Sequence, residues 1–193
     1  MAHYNLCPTL SIAIWLILCI HEMFGLDFRS MPSVIDKPKA AQLPPVRTPC
    51  IGVCSTGIGD AVCRGCKRFS HEVIDWNGYT QEEKRIVDKR LSAFLSQACA
   101  HKCTVEDTGL LQWQLDVQQV RYDPTHDAYS WLFQLLRAGA SQIKDPSKYG
   151  FFVHAEWSDL SLVELRDKID EDFWVLSSAH YERYQATPDL FQE

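Results

Sequence analysis

The sequence has no surplus of positive charge: 19 Lys and Arg stand against 25 Asp and Glu, a formal net charge of −6. Neutralising a phosphate backbone takes a basic surface, so this balance disfavours a general nucleic-acid binder. Long apolar runs are also missing. The longest, LSIAIWLILCI at residues 10–20, has eleven residues, whereas a membrane-spanning helix takes about 20. There is no nucleophile elbow, no phosphate-cradling glycine loop, no dinucleotide fingerprint and no H-E-x-x-H pair. His71, His126, His154 and His180 are scattered without ligand spacing, which assigns them structural or surface roles. Internal repeats and low-complexity tracts are absent. Together these absences favour a binding or assembly role over free-standing catalysis.

What is present fits a folded protein, with 46% hydrophobic and 23% charged residues. Residues 1–30 read as an apolar leader or a mis-assigned start. MAHYN supplies no Lys or Arg for a secretory signal, and HEMFGLDFRS offers no small-residue cleavage site. Met31 opens MPSVIDKPK, a polar beginning suited to a soluble chain. The expected location is therefore cytoplasmic, with membrane association through residues 10–20 as the alternative. Residues 31–47, with Pro32, Pro38, Pro44 and Pro45, form a Pro-rich linker.

Eight cysteines occur, and four of them fall within seventeen positions: Cys50-x3-Cys54-x8-Cys63-x2-Cys66. In a reducing compartment such spacing points to metal ligands or catalytic thiols rather than structural disulfides. Four soft thiolates select zinc or an iron–sulfur cluster over magnesium or calcium. The two-residue gap between Cys63 and Cys66 lets both grip one centre, and Gly65 suits the tight turn. Gly57 and Gly59 allow the first pair to fold back opposite the second. The loop has almost no apolar residues for a core of its own, so a metal is expected to supply its folding energy. Arg64, Lys67 and Arg68 are placed to offset thiolate charge. Two other readings stay open: two disulfides if the chain is exported, and a Cys63–Cys66 redox dithiol, which lacks the preceding strand that thioredoxin-like motifs use. Cys99 and Cys103, four residues apart, are expected to be ordinary structural cysteines.

Charge divides the remainder. Residues 44–103 carry nine Lys and Arg against six Asp and Glu; residues 104–193 carry seven against sixteen. This places a cysteine-rich metal-binding module at 48–103 and an acidic α+β domain of unknown function at 104–193. HEVIDW reads as a short helix ending near the Asn77-Gly78 turn. Thr80 and Glu83 form a capping box. Val87, Leu91, Phe94, Leu95 and Ala98 make one helical stripe running to about Cys99. Leu111, Trp113, Leu115 and Val117 alternate with polar residues, which predicts a half-buried strand, with an amphipathic helix tail as the alternative. A helix is predicted over 127–138, GFFVHAEW as extended, and a helix capped by Ser158 or Ser161 through Leu162, Leu165 and Ile169. The aromatics Trp131, Phe133, Trp157, Phe173 and Trp174 are assigned to the core, and the acidic run DKIDED at residues 167–172 to a solvated face. The fold class is α+β: a small four-cysteine metal-bound loop plus helix, followed by a small α+β domain.

TPCIGVC, CRGCKRF, the Glu72-x3-Trp76 unit and QEEKRIVDKRL occur here in the order seen in the YdhL-like bacterial domain-of-unknown-function family numbered 1289, which this segment resembles over residues 48–95. Members of that family are regarded as iron–sulfur proteins. The resemblance implies Cys50, Cys54, Cys63 and Cys66 as the ligands, an iron–sulfur cluster as the cofactor, and Trp76 packed near the site. Phe69 departs from the small or polar residue common there. The chemistry of a short, glycine-rich four-thiolate loop on its own leans to zinc, which is kept as the alternative. The expected function is metal binding, with an unidentified protein partner, no nucleic acid, and membrane contact only through residues 10–20. A thiol- or cluster-based oxidoreductase is the remaining alternative.

Overall fold

Helices with caps in the right places account for most of the described residues. The computed structural model describes residues 44–186; the expectations for the apolar run at 10–20 and for most of the linker lie outside them. Helix α1 is a single turn, Ser70–Ile74, whose entry is fixed by the Phe69 N–H donating to Glu72 Oε2 at 2.9 Å. Helix α2, Gln81–Ala100, starts at the expected capping box: the Thr80 N–H donates to Glu83 Oε2 at 2.7 Å and the Glu83 N–H to Thr80 Oγ1 at 3.3 Å. Strand β1, Cys103–Val105, follows directly.

Helix α3, Thr108–Val117, replaces the expected strand. The Asp107 side chain accepts the Leu110 N–H at 2.8 Å and so starts a helix where alternation alone reads as extended. The burial pattern then follows a period of four: Leu111 and Leu115 are fully buried, while Trp113 is 57% exposed and Val117 58% exposed. Helix α4, Ala128–Gly139, is capped by Asp127, which accepts from Ser130 at 2.9 Å. Strand β2, Phe151–Val153, pairs antiparallel with β1 in the register Cys103 with Val153 and Val105 with Phe151. Gly150 turns the chain into β2 with φ +77°, and a Cβ there would meet the Asp107 carbonyl oxygen at 2.3 Å, so only glycine fits. Helix α5, Leu162–Tyr181, begins at a second capping box built on Ser161 and Glu164.

Helices α2, α4 and α5 pack on one another, α3 adds to α4, and the two-stranded sheet closes one end. The shared core includes Leu91 and Leu95 from α2, Leu132 and Leu136 from α4, and Leu165 and Ile169 from α5. This is an α+β fold dominated by helix. Residues before and after position 103 contribute to the same core, and the boundary expected at 103/104 runs through β1. Among the aromatics, Phe133 and Phe173 are buried and Trp131 and Trp157 pack partly buried on the core. Trp174 is turned elsewhere, onto the cysteine segment. No helix among the described residues is long and apolar enough to cross a membrane.

Burial distinguishes the helical reading of α3 from the strand reading. Leu115→Ala is expected to cost about 3 kcal/mol in denaturant unfolding, and Trp113→Ala about 0.5 kcal/mol. A strand would bury both on one face and make the two losses alike.

Candidate metal centre

The turn that carries Cys63 and Cys66 is the tip of a minimal hairpin. Val62 and Phe69 form an antiparallel bridge. Inside it the Cys63 N–H donates to the Arg68 carbonyl at 2.9 Å and the Lys67 N–H to the Cys63 carbonyl at 2.8 Å. Lys67 closes the turn with φ +59°, one of two non-glycine residues with positive φ among those described. Gly65 is required for a different reason. A Cβ there would lie 2.3 Å from the Val53 carbonyl oxygen, so its absence lets the Cys50–Cys54 arm lie against the turn.

The turn buries one sulfur at its tip. Cys63 is 1% exposed. Burial pushes its thiol up, but N–H groups of Cys66, Ser55 and Gly65, together with the Cys66 thiol, outweigh it and hold it down at about 7, against an ordinary 9.0. The Cys63 thiol also lies 3.6 Å from the Val53 carbonyl oxygen. Cys66 moves the other way. Burial raises it, opposed by the Arg68 side chain, whose Nε donates to Cys66 Sγ at 3.4 Å, and by the Arg68 backbone. Two adjacent thiols in different environments are thus held in one turn, the first disposed to be a thiolate near neutral pH.

Cys50 and Cys54 are exposed. The Gly52 N–H donates to Cys50 Sγ at 3.4 Å, and Cys54 Sγ is 3.1 Å from Thr56 Oγ1. Cys54 follows Val53, whose carbonyl oxygen is the one that lies near Cys63 Sγ. The arm is further fastened by the Arg64 N–H donating to Ser55 Oγ at 2.9 Å. Among the described residues, no three of His, Cys, Asp and Glu stand close enough together to hold a metal ion as they are. The structure therefore brings Cys63 and Cys66 together and lays the arm bearing Cys54 against them, with Cys50 and Cys54 exposed. The donor chemistry fits a soft metal: four thiols on two arms, with one N–H donating to Cys50 on the first and one to Cys66 on the second.

Of the three expected cationic neighbours, one serves the thiols. Arg68 is buried, stacks 4.7 Å over Trp76 and reaches Cys66, which places Trp76 beside the site through the guanidinium. Arg64 pairs with Asp60 at 3.3 Å and lies 4.2 Å over Trp174. Lys67 is withdrawn to Asp170 on α5, at 2.5 Å. The loop draws its core from the rest of the chain: Phe69, just past the turn, is fully buried, covered by Arg90 at 3.7 Å, Tyr181 at 5.1 Å and His180 at 6.0 Å. Arg90 in turn binds Glu72 at 2.7 Å. The expected solvated acidic face on α5 is corrected at two positions, because Asp170 and Asp172 partner the buried ammonium groups of Lys67 and Lys102.

Cys99 and Cys103 are fully buried in the helical core, and burial raises both thiols, Cys103 to about 12. Neither faces the Cys63–Cys66 turn as a partner. His126 bonds Asp88 at 2.8 Å, His154 bonds Thr104 at 2.9 Å, and His180 lies among aromatic rings. Sequence reasoning missed Asp170. The signal available for it was the contrast between a basic cysteine segment and an acidic C-terminal one.

The depressed Cys63 thiol makes stability depend on pH. Between about 7 and 9.0 the folded chain has released a proton that the unfolded chain still holds, so stability rises with pH and the gain is lost as pH falls through about 7. Two units amount to about 2 to 3 kcal/mol. Cys66, raised above 9.0, acts only beyond that window and in the opposite sense. Denaturant midpoints of the reduced, metal-free protein should therefore climb from pH 7 to pH 9, and this slope should flatten in Cys63→Ala.

Comparison with known proteins bears on the same segment. No curated protein and no solved structure gives a match. Residues 48–94, which contain all four cysteines and most of α2, match the model of the family described as a protein of unknown function, DUF1289.

Proposed function

We propose that the protein is a metal-binding module in which Cys50, Cys54, Cys63 and Cys66 supply four thiolates to an iron–sulfur centre, acting in binding or assembly rather than as a free-standing catalyst. The observation that carries this reading is the placement of the thiols: Cys63 and Cys66 share one closed turn, and the arm bearing Cys54 lies against it, with the Val53 carbonyl oxygen 3.6 Å from Cys63 Sγ. The Cys63 thiol, held down at about 7, is disposed to be a thiolate before any cation arrives, which lowers the cost of assembling several negative sulfurs in one place. Cys66 is the second inner ligand, with Arg68 balancing its charge. Cys54 and Cys50 complete the set by turning their exposed thiols toward the turn, Cys54 from beside Val53, whose carbonyl lies 3.6 Å from Cys63 Sγ.

A bound cluster would supply one-electron chemistry with a potential set by the hydrogen bonds to sulfur, whereas zinc in the same thiolates would be redox-silent and structural. The family resemblance supports iron; the compact thiol turn with a left-handed residue after its second cysteine suits zinc equally, so the occupant is decided by measurement. Protein purified without oxygen is expected to show visible charge-transfer absorption and stoichiometric iron and sulfide. Colourless protein with one zinc per chain would replace iron by zinc. Absence of both metals would overturn the reading. Cys63→Ser and Cys66→Ser should each lose more than about tenfold in metal retention, and Cys99→Ser should retain the wild-type content.

A further inference from the structure

We infer that Asp170, on a helix more than a hundred residues along the chain, is a positioning residue for the Cys63–Cys66 thiol turn, acting through Lys67. The metal arm of the inference rests on the reading proposed above; the placement of the thiols does not.

Lys67 follows Cys66 directly and holds φ +59°, a backbone conformation that costs a residue with a Cβ some strain unless its surroundings compensate. Its side chain is 1% exposed, and a buried ammonium is retained only with a partner. Two partners are present. Asp170 Oδ1 lies 2.5 Å from Lys67 Nζ, and the Gly65 carbonyl oxygen, inside the thiol turn, accepts from the same ammonium at 3.4 Å. The Phe173 ring lies 5.4 Å beneath it. The ammonium thus ties the carbonyl side of the turn to α5 while the backbone of Lys67 closes the turn on Cys63. One stripe of α5 continues the contact: Trp174 Nε1 donates to the Val62 carbonyl at 3.4 Å, and Tyr181 meets the Phe69 ring. Both arms of the hairpin tip rest on the same helix face, at the i, i+3, i+4 spacing that shares one side.

Asp172 supplies a built-in control. It pairs with Lys102, the other fully buried lysine, on the same helix and with similar exposure of its carboxylate, 43% against 48% for Asp170. Lys102 belongs to the approach to β1, and its ammonium bonds Asp172 and lies 4.7 Å over the Trp157 ring. Loss of either aspartate leaves one buried ammonium short of its partner, so general destabilisation should be similar, while only Asp170 bears on the thiols.

Two readouts on the full chain test this. In reduced, metal-free protein, iodoacetamide labelling of Cys63 and Cys66, resolved by peptide mass spectrometry, should accelerate about tenfold in Asp170→Asn and stay at the wild-type rate in Asp172→Asn. In protein loaded with zinc alone, release to a chelator should accelerate about tenfold in Asp170→Asn and not in Asp172→Asn. Lys67→Gly removes the ammonium and accepts the positive φ without strain; in that background Asp170→Asn should change neither rate. Equal labelling and release in the two aspartate variants would overturn the inference, as would an undiminished Asp170→Asn effect in Lys67→Gly. Zinc that fails to bind wild-type protein would count against the zinc alternative of the proposed function, while the labelling comparison would still decide the role of Asp170.

Discussion

The closed turn from Cys63 to Arg68 is the constraint from which the cysteine segment takes its shape. Its backbone hydrogen bonds, from the Cys63 N–H to the Arg68 carbonyl and from the Lys67 N–H to the Cys63 carbonyl, go with a positive φ at Lys67, and the arm packed against it requires no side chain at Gly65. Close approach of Val53 to Gly65 brings the second cysteine arm alongside, and with it Ser55, whose Oγ accepts the Arg64 N–H. Each of these features answers to the others. A hairpin tip of this size cannot hold itself, since a two-stranded ribbon is marginal in water; it is held here by the surfaces around it.

Those surfaces come from both halves of the chain. Phe69 is enclosed by Arg90 on α2 and by Tyr181 and His180 on α5, while Glu72 ties α1 to Arg90. Helix α5 therefore has two tasks. Leu165 and Ile169 fill the helical core, and the stripe through Asp170, Trp174 and Tyr181 supports the thiol turn. The family match ends at residue 94 and contains none of α5, so the C-terminal half of this chain contributes a buttress that the matched segment does not encode.

Local signals in the sequence specified the helices well. Thr80 with Glu83, Asp127, and Ser161 with Glu164 are short-range devices, and each starts a helix where its side chain meets its own backbone. The α3 segment misleads because Leu111, Trp113, Leu115 and Val117 satisfy a period of two, while the core uses only Leu111 and Leu115 and leaves the other two in water. The Cys63–Cys66 turn was legible from its spacing and from Gly65. The support beneath it was not, because Lys67 and Asp170 are separated by 103 positions and nothing local to either names the other. An acidic run looks like a solvated face until the fold shows which carboxylates reach a buried ammonium.

The proposed centre makes one demand that no other account of the four cysteines makes: a single metal environment composed entirely of sulfur. X-ray absorption at the edge of the bound metal reads that environment directly. The account predicts a first shell of four sulfur scatterers at about 2.3 Å, reduced in Cys63→Ser and Cys66→Ser. A first shell containing nitrogen or oxygen in place of two or more sulfurs would contradict it.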